Sequence, residues 1–315
     1  MPEVIEIRKY ADFLNHNFKN KNIIDIKILK GRYKTHGPFE LFKELTDKLP
    51  MKVKEVKTKG KFLYMVLEDD YFIFSTLGLH GGWTWLKQAK KNVDVNKEFI
   101  TKNINNFNFD KLLDYVEEDR LSGYYKTALN NLNVQFITDK GSMFYFDSLS
   151  FGTLKIIKGC DQLYKKLNSI GPDIMEESTT LEIFKNQLTK PKNLAKKIGI
   201  VLLNQKVISG IGNYLRADVL WLSKISPFRK VKDLSDLDIK HLYNNSKILT
   251  WGDYDYKKGV KMNIIKKDTK IPSDYKRDFF VYYSTEDIYG NHIIKEELYE
   301  GNQKRFIYWV KELQL

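Results

Sequence analysis

Cysteine is almost missing: Cys160 is the only one in 315 residues. That excludes an internal disulfide and any zinc site built from several thiolates, and it fits a reducing compartment. No stretch approaches the roughly 18 apolar residues of a membrane-spanning helix, and the best candidate, 71–79, reads as a buried strand. The start carries Glu3 and Glu6 with no apolar run behind a basic segment, so no signal peptide is expected. The five histidines, His16, His36, His80, His241 and His292, are scattered and form no H-E-x-x-H pattern, which argues against a metal-dependent nuclease. Acid is also short. The 53 Lys+Arg outweigh 40 Asp+Glu, giving +13 and a pI near 9.3, which points to a polyanionic partner: nucleic acid or an acidic membrane surface. Charge alone does not choose between them. The expectation is a soluble, intracellular protein with its compartment left open.

What is present is an ordinary globular composition, 42% hydrophobic and 30% charged, in a chain long enough for two cores. Val4, Ile7, Ala11, Leu14 and Phe18 recur at steps of three and four, which predicts a helix beginning almost at the first residue. Period-two runs follow at Ile24, Ile26 and Ile28, then β-rich runs at 62–67 and 71–76. The runs 133–138 and 143–147 flank Asp139-Lys140-Gly141-Ser142, a hairpin turn. From about 175 the pattern turns helical, over 181–188, 194–204, 213–223 and 236–251. Strand-like runs return at 279–283 and 305–310, read as a hairpin linked by a turn at Tyr289-Gly290-Asn291.

Two short motifs carry chemistry. In Met1-Pro2-Glu3 followed by Glu6, removal of Met1 exposes an α-amine beside two carboxylates. With a pKa near 8, about 10% of such an amine is unprotonated at pH 7, far more than of an ordinary lysine. It can attack a sugar C1′ and hold it as an iminium while a carboxylate moves protons. Read alone, the tetrad is better explained as acidic residues in a first helical turn, where the helix dipole favours them. The second motif, Leu203 to Tyr214, holds Ser209-Gly210-Ile211-Gly212-Asn213 between two amphipathic helices. The Asn213 side chain and the N–H groups opening the next helix can hold a phosphate, although a Gly-x-Gly turn also serves plain packing.

The segment Gln205 through Leu220, with Ile225-Ser226-Pro227 beyond, resembles the helix-two-turn-helix signature of the formamidopyrimidine-DNA glycosylase / endonuclease VIII (Fpg/Nei) family. Pro2-Glu3-Glu6 resembles the same family's catalytic terminus. The resemblance implies an α+β fold: an N-terminal catalytic β-sandwich domain with flanking helices (1–155), a linker (156–174), a helical helix-two-turn-helix domain (175–275) and a finger hairpin (276–315), with a DNA cleft between the domains. It implies a bifunctional glycosylase and abasic-site lyase working through a Pro2 Schiff base, with Glu3 the main proton carrier and Glu6 in support. Lys61, in Lys59-Gly60-Lys61, matches the family's lysine that touches phosphate and assists catalysis. Arg305, in Gln303-Lys304-Arg305-Phe306, matches the finger arginine, and Asn213 completes a phosphate clamp. No cysteine follows Cys160, so the finger resembles the zincless, Nei-like branch, and neither metal nor cofactor is expected. Leu79 matches the wedge that fills the space left by an extruded base. The run Asp147-Ser148-Leu149-Ser150-Phe151-Gly152 keeps a second filler, Phe151, but lacks the two arginines usual there, leaving contact with the orphaned base in doubt. Phe151 fits core packing equally well. The implied partners are duplex DNA with oxidised bases or abasic sites, single-stranded DNA as an open alternative, and no membrane, with the protein a monomer. Oxidised pyrimidines and hydantoins lead the substrates, formamidopyrimidines follow, and the basic run 264–276 is the candidate recognition loop. The choice between β- and β,δ-elimination stays open. The rival reading is a non-catalytic DNA-binding module, which would need no N-terminal amine.

Overall fold

The computed structural model describes residues 2–87, 131–254 and 279–315, so the expected recognition loop at 264–276 lies outside the described residues. The chain divides into two compact units.

The first unit takes 8–58 and 62–164 together with the chain start. Helix α1 (Val4–Phe18) opens the chain, with Ile7, Ala11, Leu14 and Phe18 buried as the three-four spacing predicts. After it come β1 (Asn22–Ile28), α2 (Arg32–Thr35), α3 (Phe42–Thr46) and β2 (Met51–Lys59). Then follow β3 (Phe62–Leu67), β4 (Tyr71–Thr76), β5 (Gly81–Lys87), β6 (Leu132–Thr138), β7 (Gly141–Asp147) and β8 (Thr153–Lys158). Among the described residues these strands run β5-β7-β6-β1-β2-β3-β4-β8. Strands far apart in that order nevertheless touch: Trp83 of β5 donates to Ser75 Oγ of β4 (3.2 Å), and the Tyr145 hydroxyl of β7 reaches the Thr76 carbonyl (3.2 Å). The sheet therefore folds onto itself as a sandwich. Every residue of β7 is buried, as expected for a strand covered on both faces. Trp83 sits between Phe136 and Tyr145 at 5.5 Å from each ring.

The second unit takes Glu3–Ile7, Lys59–Lys61 and Lys165–Leu315. The stretch expected as a connection, 156–174, holds the end of β8 and α4 (Cys160–Asn168). Next come α5 (Leu181–Leu188), capped by the Thr180 hydroxyl accepting from Ile183 N, then α6 (Pro191–Leu194), α7 (Ile198–Val201), α8 (Asn213–Leu222) and α9 (Asp236–Tyr254). Eight of the ten residues of α8, Tyr214 through Trp221, are buried, so this helix is the hydrophobic axis of the unit. Val4 and Ile5 join the same core.

Three expectations change. The helix predicted over 194–204 shrinks to the single turn α7, with α6 ending at its first residue, because the backbone between them leaves helical bonding: Ile198 N pairs with Arg229 O (2.8 Å). The strand predicted at 279–283 is absent. The Asp218 carboxylate accepts from Phe280 N (3.2 Å) and Val281 N (3.0 Å), occupying donors a strand partner would need, and Tyr283 turns the chain at φ +56°. The C-terminal hairpin is built instead from β9 (Ile294–Glu300) and β10 (Gln303–Trp309), paired from Gln303↔Glu300 to Trp309↔Ile294. Its tight turn lies at Gly301, φ +56°, and the Tyr289-Gly290-Asn291 turn precedes it.

Candidate active site

Within the second unit the turn before α8 is laced to the start of α1. Val4 N donates to Gly210 O (3.2 Å). Gly210 has φ +106°, and a Cβ there would stand 2.9 Å from the Val4 side chain, so only glycine fits. The Gln205 amide staples the loop, accepting from Gly210 N (2.9 Å) and donating to Ile211 O (2.8 Å). The Lys59-Gly60-Lys61 turn is anchored to the same region: Gly60 N donates to Asp173 Oδ2 (2.7 Å) and Lys59 Nζ to Leu167 O (2.8 Å).

Glu3 lies at the centre, only 1% exposed. Its carboxylate accepts from Gly212 N (2.6 Å), Tyr214 N (3.0 Å) and Leu215 N (3.4 Å), filling the N-terminus of α8. Glu6 Oε2 accepts from Glu3 N (2.8 Å), the backward half of a capping box. The Tyr214 hydroxyl donates to Glu6 at 2.9 Å. A Cβ on Gly212 would stand 2.2 Å from Glu3 Cδ and 2.3 Å from Lys61 Nζ, so both groups lie against that glycine. The N–H groups expected to grip a phosphate are therefore turned onto Glu3: a buried carboxylate is the stronger claimant for the helix dipole at this position.

Burial pushes the Glu3 carboxyl up to about 7, outweighing the lowering by Lys61 and by the Tyr214 and Gly212 N–H groups, while Glu6 adds to the rise. Burial likewise lowers Lys61 from the ordinary lysine range, against the pull of Glu3 and Glu6. An acid and a base whose values are drawn toward neutrality form a proton-exchanging pair.

Asn213, half-buried at the first turn of α8, accepts weakly from Arg216 Nη2 (3.5 Å). The same guanidinium donates to Gly199 O (2.9 Å) and to Phe306 O (2.6 Å), the residue after Arg305. Arg305 itself is exposed on β10, opposite Leu298. Leu79 and Phe151 belong to the first unit, 39% and 62% exposed. A Cβ on Gly78 would fall 2.7 Å from the backbone of Phe151 and Gly152, so the two loops adjoin and both apolar tips face solvent. Phe151 is thus not core. Asp147 holds its loop by accepting from Gly152 N (2.6 Å), and Arg32 donates to Gly152 O (3.2 Å). Pro2, half-buried, immediately precedes Glu3.

Residues 1–154 match the family model for the formamidopyrimidine-DNA glycosylase N-terminal domain, and 170–252 match that for the formamidopyrimidine-DNA glycosylase H2TH domain. The chain belongs to the Fpg/Nei family. Members of that family are DNA glycosylases of base excision repair. Fpg/Nei relatives include a formamidopyrimidine-DNA glycosylase of Ligilactobacillus salivarius, 25% identical over 78% of this chain and 74% of that one. Endonuclease 8 of Escherichia coli is also 25% identical, over 75% and 73%. The fold is similar to Lactococcus lactis Fpg, solved with abasic-site DNA, at a TM-score of 0.69 and 19% identity over 99% of each chain.

The structure also brings in residues that sequence reading missed: Tyr214, Arg216, Gln205 and Asp173. Arg216 had a visible signal. It is one of two charges, with Asp218, inside a largely apolar helix, three residues after Asn213 and so on the same face. Gln205 lay within the turn motif, but its staple to Gly210 and Ile211 is a matter of loop conformation, and Asp173 gave no signal because it bonds the backbone of Gly60, distant in sequence.

Proposed function

We propose that this Fpg/Nei chain is a bifunctional DNA glycosylase and abasic-site lyase of the zincless-finger, Nei-like branch. It acts on oxidised pyrimidines, hydantoins and formamidopyrimidines in duplex DNA, as an intracellular monomer. The Pro2 amine attacks C1′, and the N-glycosyl bond breaks with its electron pair leaving on the base, which takes a proton. The sugar ring opens to an iminium as O4′ is protonated. Loss of a C2′ proton then expels the 3′-phosphate, and water releases the sugar fragment. Glu3 relays these protons, Glu6 orients Glu3 and its turn, and Lys61, Asn213 and Arg305 contact phosphates. Leu79 and Phe151 fill the space the extruded base vacates, since unstacking costs a few kcal/mol.

The observation that carries the reading is Glu3: a carboxyl buried at a helix N-terminus beside Lys61 and Glu6, its value near neutrality, one residue after Pro2. Phosphate binding alone requires no such carboxyl. The test is borohydride trapping on duplexes with an abasic site or an oxidised base. A covalent adduct should form with the native chain and vanish in Pro2→Thr or when extra residues block the N-terminus. An adduct that survives both changes would overturn the mechanism.

A further inference from the structure

Beyond the carboxylates, a ladder of rings runs through the second unit. Tyr214, hydrogen-bonded to Glu6, lies 4.7 Å from Phe279, and Phe279 lies 5.6 Å from Tyr282. Tyr282 in turn meets Tyr283 at 4.6 Å and Tyr308 at 5.2 Å, and Tyr283 meets Tyr308 at 5.2 Å. Tyr214 and Tyr308 are buried, while Tyr283 at the end of the ladder is 74% exposed. The Tyr282 hydroxyl feels the charge of Glu3, so the ladder stays within electrostatic range of the reacting carboxyl.

Tyr283 is also the wrong residue for its backbone. At φ +56° it occupies the left-handed region that glycine enters freely and a bulky residue enters rarely. An exposed ring recovers little burial in return, yet Tyr282 and Tyr308 pin it from two sides. Strain held in place by neighbours, at a ring that the fold leaves in solvent, points to a ligand. The ligand chemistry that matches a flat, pinned, exposed phenol is the π-face of a base.

We infer that Tyr283 is a base-stacking residue, its ring backed by Tyr282 and Tyr308 and receiving one face of the damaged base once that base leaves the helix. This rests on the glycosylase reading and deepens it, because it assigns the base, rather than the phosphate, to a particular side chain. The base must present a planar face, so 5-hydroxyuracil is the fitting probe.

The experiment compares Tyr283→Gly and Tyr283→Phe with the native chain on two duplexes, one carrying 5-hydroxyuracil and one an abasic site. Thermal unfolding is followed in parallel. The glycine variant should unfold at the same or a higher temperature, since its backbone relaxes. Its single-turnover excision of 5-hydroxyuracil should fall by about 10- to 100-fold, the range of one lost base–aromatic stack. Its cleavage of the abasic duplex, which offers no base to stack, should stay within about threefold of native, and the phenylalanine variant should match native on both. Native-rate excision by the glycine variant, or an equal loss on both duplexes, overturns the stacking role. A native chain that cleaves neither duplex refutes the glycosylase reading itself, and the inference falls with it.

Discussion

Replacing Glu3 with glutamine tests the proton-carrier argument through stability alone. The Glu3 carboxyl sits at about 7 in the folded chain against an ordinary 4.5. Across that window the native state holds one proton more than the unfolded state, so stability falls as pH rises. The slope is about 1.4 kcal/mol per pH unit, or about 3 kcal/mol in all. Below the window both states are protonated and the contribution is fully present; above it both are ionised and it is lost. Glutamine has no proton to exchange. It does turn an NH2 group toward donors at Gly212, Tyr214 and Leu215, at a pH-independent cost of about 1–3 kcal/mol. The offset between native and Glu3→Gln is therefore uninformative and its pH dependence decisive. Urea unfolding from pH 4.5 to 8 should show the native chain losing about 3 kcal/mol relative to the variant, then levelling. A constant difference would mean that Glu3 titrates in the folded chain as it does in the unfolded one. A native chain that gained on the variant as pH rose would mean that the helix N–H groups outweigh burial. Either result removes the proton reservoir from the mechanism.

Much of this arrangement was legible in the sequence, and the rest was hidden for identifiable reasons. The stripes of α1 and α5 were readable because their spacing matches the face each buries, and the runs of β3 and β4 because they are short, nearly continuous apolar stretches buried on both faces. Pro2, Glu3, Glu6 and Asn213 stood out as candidates because two motifs stand in order on one chain, and Lys61 because the resemblance those motifs carry extends to it. The use of the α8 N-terminus was not. A helix start offers its N–H groups to any anion, and only the fold shows that Glu3, more than 200 residues upstream, reaches them first. The 279–283 run failed for a related cause. Phe-Phe-Val-Tyr-Tyr has every side-chain preference of a strand, but a strand also needs a partner, and Asp218 takes the backbone donors instead. The true partner of β10 is the acidic, less apolar β9, whose register is set by a turn at Gly301 that composition did not distinguish from the turn at Gly290.

Three further outcomes bear on the site. Gly212→Ala adds a methyl 2.2 Å from Glu3 Cδ and 2.3 Å from Lys61 Nζ at a φ of −125° that any residue tolerates. It should lower the borohydride-trapping rate at least about 100-fold while costing only about 1–3 kcal/mol of stability, and near-native trapping would refute the contact. Arg305→Ala should weaken binding to all duplexes alike and reduce the slope of log K against log salt by about one, the signature of a lost phosphate contact. An unchanged slope would remove Arg305 from the clamp. Arg216→Met strips donors from Gly199 O and Phe306 O, with an expected loss of about 2–4 kcal/mol in unfolding. Because the same guanidinium reaches Asn213, its effect on DNA affinity should overlap that of Asn213→Ala. The double variant should then bind no more weakly than Arg216→Met alone, whereas independent residues would lose the sum of the two. Additive losses would show that Asn213 keeps its position without Arg216 and that the buried charge serves the hairpin alone.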